Sequence, residues 1–509
     1  MKPTDEQQYV PNNNSTRHYL HLLCSTSQGT SQDAEWSPNF KLTINHIPDE
    51  LLIEIFDFYR QAIDPYGYQW RKRHMWIGLT QVCRKWRAVM FASASRLDLG
   101  ITVGPKKPDD IKTIQSYPLP IFIDYKYQYM HRESEDITGA LSRMLAALGH
   151  HDRVREISYE GSGLSGTNFD EFIKATNSPF PLLESLVLRF KRGYVKLPDT
   201  FLRGPGLSDL HLRRLELKQV SFALISGFLL SATALTDLTL RIDTGFNSSS
   251  EPSLLACLQG MLSLCHLDLT ISIESPSQPS TSKDIVTLSK LIRFRYSGYS
   301  VFLDTLMAGL SAPSLYNVGT WFFDEIWPPA VHLPRFINEI KGRHHTVRVD
   351  VEYLVFNLRL LTQSESINLR NPSVTLGPFL QSSSESIMRM SSVLSTKFAT
   401  VEELWITFQV NDISDDLSAN VVAWRRFLQQ LPSVKTIKTV GADNYSIARI
   451  LHGDHGKPDE LSFLPVLEEI DLGRKPFYEN QGGDELAAFD PFVSARQQAG
   501  RPVKVLFGW

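Results

Sequence analysis

Three glycines, Gly161, Gly163 and Gly166, have the GxGxxG spacing of a phosphate-binding loop. In a dinucleotide-binding βαβ unit such glycines let the backbone approach a pyrophosphate at a helix N-terminus, and an acidic residue, here Glu184, would close the unit. The neighbouring candidate strands, however, repeat as LxxLxL. We therefore interpret the glycines as a flexible loop between repeats, and a nucleotide-dependent enzyme is only the remote alternative.

Histidines are the other candidates for chemistry. His452 and His455 flank Asp454, and two histidine pairs lie at 150–151 and 344–345. Their spacing fits no helical metal motif and no third ligand is evident, so we expect exposed loop histidines. No Ser/His/Asp or Cys/His grouping stands out either. The sequence thus predicts no catalytic residue, no metal and no cofactor, and we expect that the protein is not an enzyme.

The composition is that of a folded protein. Of 509 residues, 42% are hydrophobic and 21% charged, and the net charge of -3 gives no attraction to nucleic acid or to acidic membranes. The four cysteines, Cys24, Cys83, Cys257 and Cys265, form no CxxC pair, which argues against a disulfide framework or a local zinc site. We expect reduced thiols and a cytoplasmic or nuclear protein.

Two segments bear on targeting and membranes. Residues 1–43 are polar, lack apolar periodicity and contain no signal peptide, so we expect a disordered tail. Residues 219–236 carry no charge but are marginal in length and contain serine, threonine and glycine, so they are better explained as a buried helix than as a membrane span. No membrane association is predicted.

An internal repeat of the form LxxLxL dominates the chain after residue 95. The stronger copies lie at 154–159, 183–188, 212–217, 235–240, 264–269, 401–406 and 467–472. Weaker candidates lie at 97–99, 121–123, 291–294, 315–318, 347–349, 374–376 and 503–507, and Ile437 lies midway between two late copies.

The spacing of these copies predicts the architecture. The middle apolar residues of the first five are 29, 29, 23 and 29 residues apart, and the late ones are 33 apart, near the leucine-rich-repeat period. Each unit would contribute a short strand and return through a helix or loop, burying its leucines against its neighbours. We therefore predict an α/β fold whose larger part is a solenoid of stacked strands.

Ahead of the repeats, two helical stretches resemble an F-box. They contain IPDELL at 47–52 with IF at 55–56, then LTQVCRKWR at 79–87. Together with PLPIFI at 118–123 and SAR at 494–496, the chain is similar to F-box proteins abundant in mushroom-forming fungi. The resemblance implies an N-terminal helical F-box at 44–92 and an irregular leucine-rich-repeat horseshoe at 93–509.

The resemblance also implies partners. In that family the F-box docks on a Skp-type adaptor that leads to a cullin-RING ligase, and the repeats hold a substrate protein. The matching positions here are Pro48, Leu51, Leu52, Ile55, Leu79, Val82, Cys83 and Trp86. Two departures are Ile47, where leucine is usual, and a segment at 58–76 about ten residues longer than usual, which affects how firmly the adaptor docks.

Charged residues between the inward leucines suggest where a substrate would bind. Arg189, Arg213, Arg214, Lys218 and Arg241 belong to early units, whereas Glu402, Glu403, Glu468, Glu469 and Asp471 belong to late ones. Arginines pair well with carboxylate or phosphate, so an acidic or phosphorylated substrate segment is one interpretation, and solvated strand residues are the other.

The predicted function is therefore that of a substrate-recognition subunit of an SCF-type ubiquitin ligase. The alternative within the same class is an F-box scaffold or interaction protein that works outside a cullin ligase.

Overall fold

A computed structural model describes most of the chain after residue 45. The described residues are 46–62, 76–94, 97, 99–104, 110–126, 137–161, 167–191, 195, 197, 201–202, 211–242, 250–272, 285–323, 331–340, 343–352, 355–362, 373–376, 384–408, 417–440, 444–452, 463–473 and 486–507. They form two compact units, one containing residues 46–62 and 77–93 and the other containing Trp76 and the residues from 94 onward. The tail predicted at 1–43 and the glycine loop at 162–166 lie outside the described residues.

Helices occur in both units. The first unit contains α1 (Asp49–Ala62), α2 (Trp76–Thr80) except its first residue, and α3 (Arg84–Ala92). The second contains α4 (Asp110–Ser116), α5 (Ile137–Leu148), α6 (Thr167–Thr176), α7 (Phe222–Ser231), α8 (Ser250–Gln259), α9 (Ser300–Ala308), α10 (Leu333–Glu339), α11 (Ser384–Leu394), a 3-10 helix (Ser395–Thr400), α12 (Leu417–Gln429), α13 (Asn444–His452) and α14 (Asp490–Gln498).

Strands are confined to the second unit among the described residues. They are β1 (Ile101–Val103), β2 (Ile121–Lys126), β3 (Val154–Gly161), β4 (Ser185–Phe190), β5 (Arg214–Lys218), β6 (Asp237–Ile242), β7 (His266–Ile271), β8 (Val286–Thr287), β9 (Arg293–Gly298), β10 (Leu310–Ser311), β11 (Asn317–Phe322), β12 (Thr346–Glu352), β13 (Val355–Leu361), β14 (Ser373–Leu376), β15 (Glu403–Phe408), β16 (Thr436–Val440), β17 (Glu469–Leu472) and β18 (Lys504–Phe507).

Sixteen of these described strands form one long sheet. Its order is β1-β2-β3-β4-β5-β6-β7-β9-β11-β14-β13-β12-β15-β16-β17-β18, and β8 pairs with β10 separately. Every neighbouring pair is parallel except β13 with β12 and with β14, which are antiparallel. The prediction of an α/β fold is confirmed at this level: the chain is mixed α/β with a long, mostly parallel sheet.

The leucine motif explains the sheet. Leu186, Leu215, Leu238 and Leu267 are register partners on β4 to β7, and each is almost completely buried. Because side chains alternate along a strand, the two apolar positions of each LxL point to one face and the residues between them to the other. The leucine rows bury one face of the sheet, and the other, called the polar face below, carries the charged residues.

The stronger LxxLxL copies each supply residues to a strand of this sheet, as do most weaker ones. The prediction of a strand from the weak copy at 97–99 is wrong, since β1 begins at Ile101. Strand β13 was not predicted, because its direct hairpin with β12 breaks the spacing of the repeats. The uncharged segment at 219–236 contains the helix α7, as predicted, with Phe222, Ile225 and Leu229 buried.

Candidate functional site

The first unit presents an apolar surface. Helix α1 exposes Leu51, Ile55 and Phe58 by 50%, 44% and 62%, and it also exposes Tyr59. These residues share one face because positions three and four apart lie side by side on a helix. Val82, just before α3, is 53% exposed. These five residues are called the apolar surface below.

The adjacent face of α1 forms the core of this unit. Leu52 and Phe56 are buried together with Val89 and Met90 of α3. The Phe56 ring meets the Trp86 ring edge to face, with ring centroids 4.9 Å apart. The predicted apolar stripe of α1 is therefore two faces, one buried and one exposed, and Leu52 and Trp86 stabilise the unit from within.

Local polar contacts stabilise the starts of α1 and α3. Lys85 Nζ donates to the carbonyl oxygen of Ile47 at 2.6 Å and lies 3.3 Å from an Asp49 carboxylate oxygen. Cys83 caps α3, since its sulfur accepts from the backbone N–H of Trp86 at 3.4 Å.

Of the other predicted adaptor-site residues, Pro48 is exposed and Leu79 is half-buried. A partner can thus directly reach four of the predicted adaptor-site residues: Pro48, Leu51, Ile55 and Val82.

The polar face of the second unit carries an ion-pair network across β3, β4 and β5. Arg189 donates through Nε and Nη2 to the two carboxylate oxygens of Glu216, at 2.7 and 2.9 Å, and through Nη1 to Glu160 at 3.0 Å. Lys218 Nζ lies 3.2 Å from Glu216. This two-pronged geometry is the strong form of an arginine–carboxylate pair.

Burial and charge act in opposite directions on these carboxylates. Burial on its own would raise the pKa of Glu216, but hydrogen bonds and charges from Arg189 and Lys218 hold that pKa below its ordinary value. Burial on its own would likewise raise the pKa of Glu160, but the hydrogen bond and charge of Arg189 hold that pKa below its ordinary value. Both acids are therefore ionised at neutral pH, and they neutralise the arginine between them.

The predicted substrate residues consequently fall into two groups. Arg189 and Lys218 belong to the ion-pair network. Arg213, Arg214 and Arg241 are exposed, with Arg213 ahead of β5 and Arg214 a looser 3.7 Å from Glu216. The sequence analysis missed Glu160 and Glu216. The repeat spacing contains the signal for Glu160, which is 29 residues before Arg189, just as Arg189 is 29 before Lys218.

The late strands carry paired charges as well. Lys438 of β16 lies 2.5 Å from Glu403 of β15, and Lys435 lies 3.2 Å from Glu402. Glu468 is exposed, Glu469 is half-buried and Asp471 is buried. The polar face is therefore a mosaic of acid–base pairs along its length, and the predicted division into a basic first part and an acidic last part does not describe it.

The histidines do not gather into a site among the described residues, and no group of three or more metal-binding side chains occurs there. His344 contradicts the prediction of exposed loop histidines, because its side chain is buried and neither ring nitrogen has a hydrogen-bond partner. Burial lowers the pKa of His344 to about 4, with smaller contributions from Lys397 and His345. Asp454 and His455 lie outside the described residues.

Comparison with protein-family models and with curated proteins finds no match to this chain. Within the described part of the chain, none of the helices has both the length and the apolar character needed to cross a bilayer.

Proposed function

We propose that the protein is a non-catalytic substrate receptor of an SCF-type ubiquitin ligase. In this proposal residues 44–92 form an F-box that docks on a Skp-type adaptor, and the adaptor links the chain to a cullin-RING ligase. The observation that carries the proposal is the apolar surface: five large apolar side chains remain exposed on a small helical unit whose core is already filled by Leu52 and Phe56. Contiguous exposed apolar side chains are typical of protein interaction sites.

The second unit would hold the substrate. We interpret residues 93–509 as an irregular leucine-rich-repeat horseshoe, because leucine rows in register on parallel strands bury one face and leave a long polar face for a partner. Arg213, Arg214 and Arg241 are the predicted substrate contacts whose side chains are exposed, while Arg189 and Lys218 keep the carboxylate of Glu216 ionised beneath the surface. The setting would be cytoplasm or nucleus.

Adaptor capture tests the proposal. The purified chain should bind a Skp-type adaptor, and Leu51→Asp combined with Val82→Asp should weaken binding at least about a hundredfold, because a carboxylate placed in an apolar contact costs about 3 kcal/mol or more. Both side chains are exposed, so the variant should fold. Trp86 is unsuitable for this purpose, because its ring packs against Phe56.

The matched control is Leu262→Asp, at a leucine of the second unit that is also exposed. If the folded wild-type chain does not bind the adaptor, or if the double variant binds as well as the wild type, the ligase proposal fails. In the first case the alternative of an F-box scaffold that works outside a cullin ligase takes its place.

A further inference from the structure

The reversed strand β13 places an unusual group of side chains at the middle of the polar face. Arg348 of β12 is the register partner of both Arg359 on β13 and Trp405 on β15, and Asp350 is the partner of Thr407. Their strand neighbours Val347, Val349, Leu358 and Leu404 are buried in the leucine rows, so these five polar side chains share the opposite face. They are called the central cluster below.

Four polar atoms of the central cluster are buried without a hydrogen-bond partner: Asp350 Oδ2, Arg359 Nε, Trp405 Nε1 and Thr407 Oγ1. Asp350 is 3% exposed and Thr407 is 5% exposed. Such an atom costs about 1 to 3 kcal/mol when nothing binds it, and buried polar groups normally have partners. Four of them on adjoining strands indicate a place built to be completed by a polar ligand.

The charges of the central cluster select the ligand. Arg348 Nε donates to Asp350 Oδ1 at 2.8 Å, and Arg359 Nη2 lies 3.5 Å from Asp350 Oδ2. Two guanidinium groups thus share one carboxylate, which leaves an excess of one positive charge. A further cation, Lys438, lies 4.9 Å from the centre of the Trp405 ring and is paired with Glu403. A ligand with one negative charge matches this excess.

The unpartnered atoms further restrict which chemical groups the ligand carries. Arg359 Nε and Trp405 Nε1 are N–H donors, and N–H donors pair well with carboxylate oxygens. Asp350 Oδ2 is an acceptor that suits a backbone N–H of the same ligand. A phosphate monoester carries nearly two negative charges at neutral pH, and it would lie against the Asp350 carboxylate with only one excess positive charge to balance it.

We infer that the central cluster recognises an unmodified aspartate or glutamate in an extended segment of a partner protein. This inference deepens the proposed function, on which it rests, by naming the substrate class as acidic and independent of phosphorylation. The side chains of Arg348 and Arg359 are 27% and 34% exposed, so the ligand carboxylate approaches from the solvent side, and the exposed ends of these side chains move to admit it while both guanidinium groups stay in the cluster. The partner's backbone then continues along the polar face.

Peptide arrays test the inference directly. The probes are degenerate 12-residue peptides with a fixed central glutamate, phosphoserine or glutamine, and the full chain is applied to them. The glutamate pool should retain about tenfold more protein than the glutamine pool, the effect of one charge-assisted contact, and more than the phosphoserine pool. Arg359→Gln and Trp405→Phe should each reduce this preference, since the first removes the Arg359 Nε–H donor together with the positive charge and the second removes the Trp405 Nε1–H donor.

Arg426→Gln and Trp321→Phe are the matched controls. Both residues are exposed in the second unit but outside the central cluster, and both variants should keep the preference for glutamate. Equal retention of the glutamate and glutamine pools would mean that water alone completes the cluster, and it would overturn the inference. A preference for phosphoserine would overturn it too. Adaptor capture measures the first unit independently, so its failure with an intact glutamate preference would remove the ligase proposal alone.

Discussion

Acid sensitivity of the second unit should depend on His344, which lies just before strand β12. The side chain is 1% exposed, its ring nitrogens have no hydrogen-bond partner, and burial lowers its pKa from the ordinary 6.5 to about 4. The unfolded chain binds a proton at this histidine below pH 6.5, whereas the folded chain does so only below about pH 4. The contribution to stability is therefore complete at neutral pH and is lost as the pH falls from 6.5 to 4.

The size of the effect follows from these two pKa values. Each pH unit between them lowers the free energy of unfolding by about 1.4 kcal/mol, so lowering the pH from 7 to 4.5 should remove about 2 kcal/mol through this one group. His344→Leu removes the titrating ring while keeping an apolar side chain in the buried position. The variant should lose about 2 kcal/mol less than the wild type over this pH range.

Urea unfolding at pH 7 and pH 4.5, followed by circular dichroism, measures the difference. The matched control is His211→Leu, which replaces an exposed histidine of the second unit and leaves His344 and its neighbours in place, so this variant should lose as much stability on acidification as the wild type. If His344→Leu and the wild type lose the same stability on acidification, the histidine is protonated at no cost in the folded protein and the reasoning from burial is wrong.

Further predictions concern stability and use the same unfolding assay. Arg189→Leu should destabilise the second unit by about 2 to 3 kcal/mol, because it removes both hydrogen bonds of the arginine to the buried Glu216 carboxylate and leaves only the contacts to Lys218 and Arg214. Adding Glu216→Leu should restore most of the loss, and an unrecovered double variant would contradict this. Phe56→Ala should cost about 3 to 5 kcal/mol in the first unit and abolish adaptor capture, whereas a loss below 1 kcal/mol would show that the ring is not core. Gly298→Ala should destabilise β9, because the new Cβ would lie 2.4 Å from a carbonyl oxygen of β7, and an unchanged midpoint would refute that close approach. Asp304→Ala should cost about 1 to 2 kcal/mol, since its carboxylate accepts three backbone N–H groups at and before the start of α10, and hydrogen exchange of these amides would reveal whether the cap is lost.

The candidate sites were only partly predictable. Leu51 and Leu52 are adjacent apolar residues on the same helix, but one is exposed and the other buried. Sequence periodicity assigned both to one stripe, since a helix rotates by only about 100° between neighbours and a broad apolar stripe includes both. Only the packing of α1 against α3 decides which part of the stripe becomes core.

The pairing of charges on the sheet was also not predictable from the sequence, because the partners are far apart along the chain. Arg189 and Glu216 are 27 residues apart, and their contact depends on β4 and β5 pairing in one particular register. The sequence of one repeat unit identifies Arg189 as a charged residue of the polar face. It does not show that Glu160 and Glu216, on the two flanking strands, neutralise that arginine. Likewise, Arg359 meets Arg348 only because β13 turns back on β12.

The amino-acid sequence by itself determined the strands that follow the LxxLxL rule, the burial of their leucines and the mixed α/β character of the chain. Those properties depend on alternation within a strand and on the spacing of repeats, which are local or periodic along the chain. The tertiary structure alone decided the reversal at β13, the pairing of the charges and the burial of His344. These depend on which side chains meet across strands distant in sequence, where register and desolvation, rather than residue type, set the outcome.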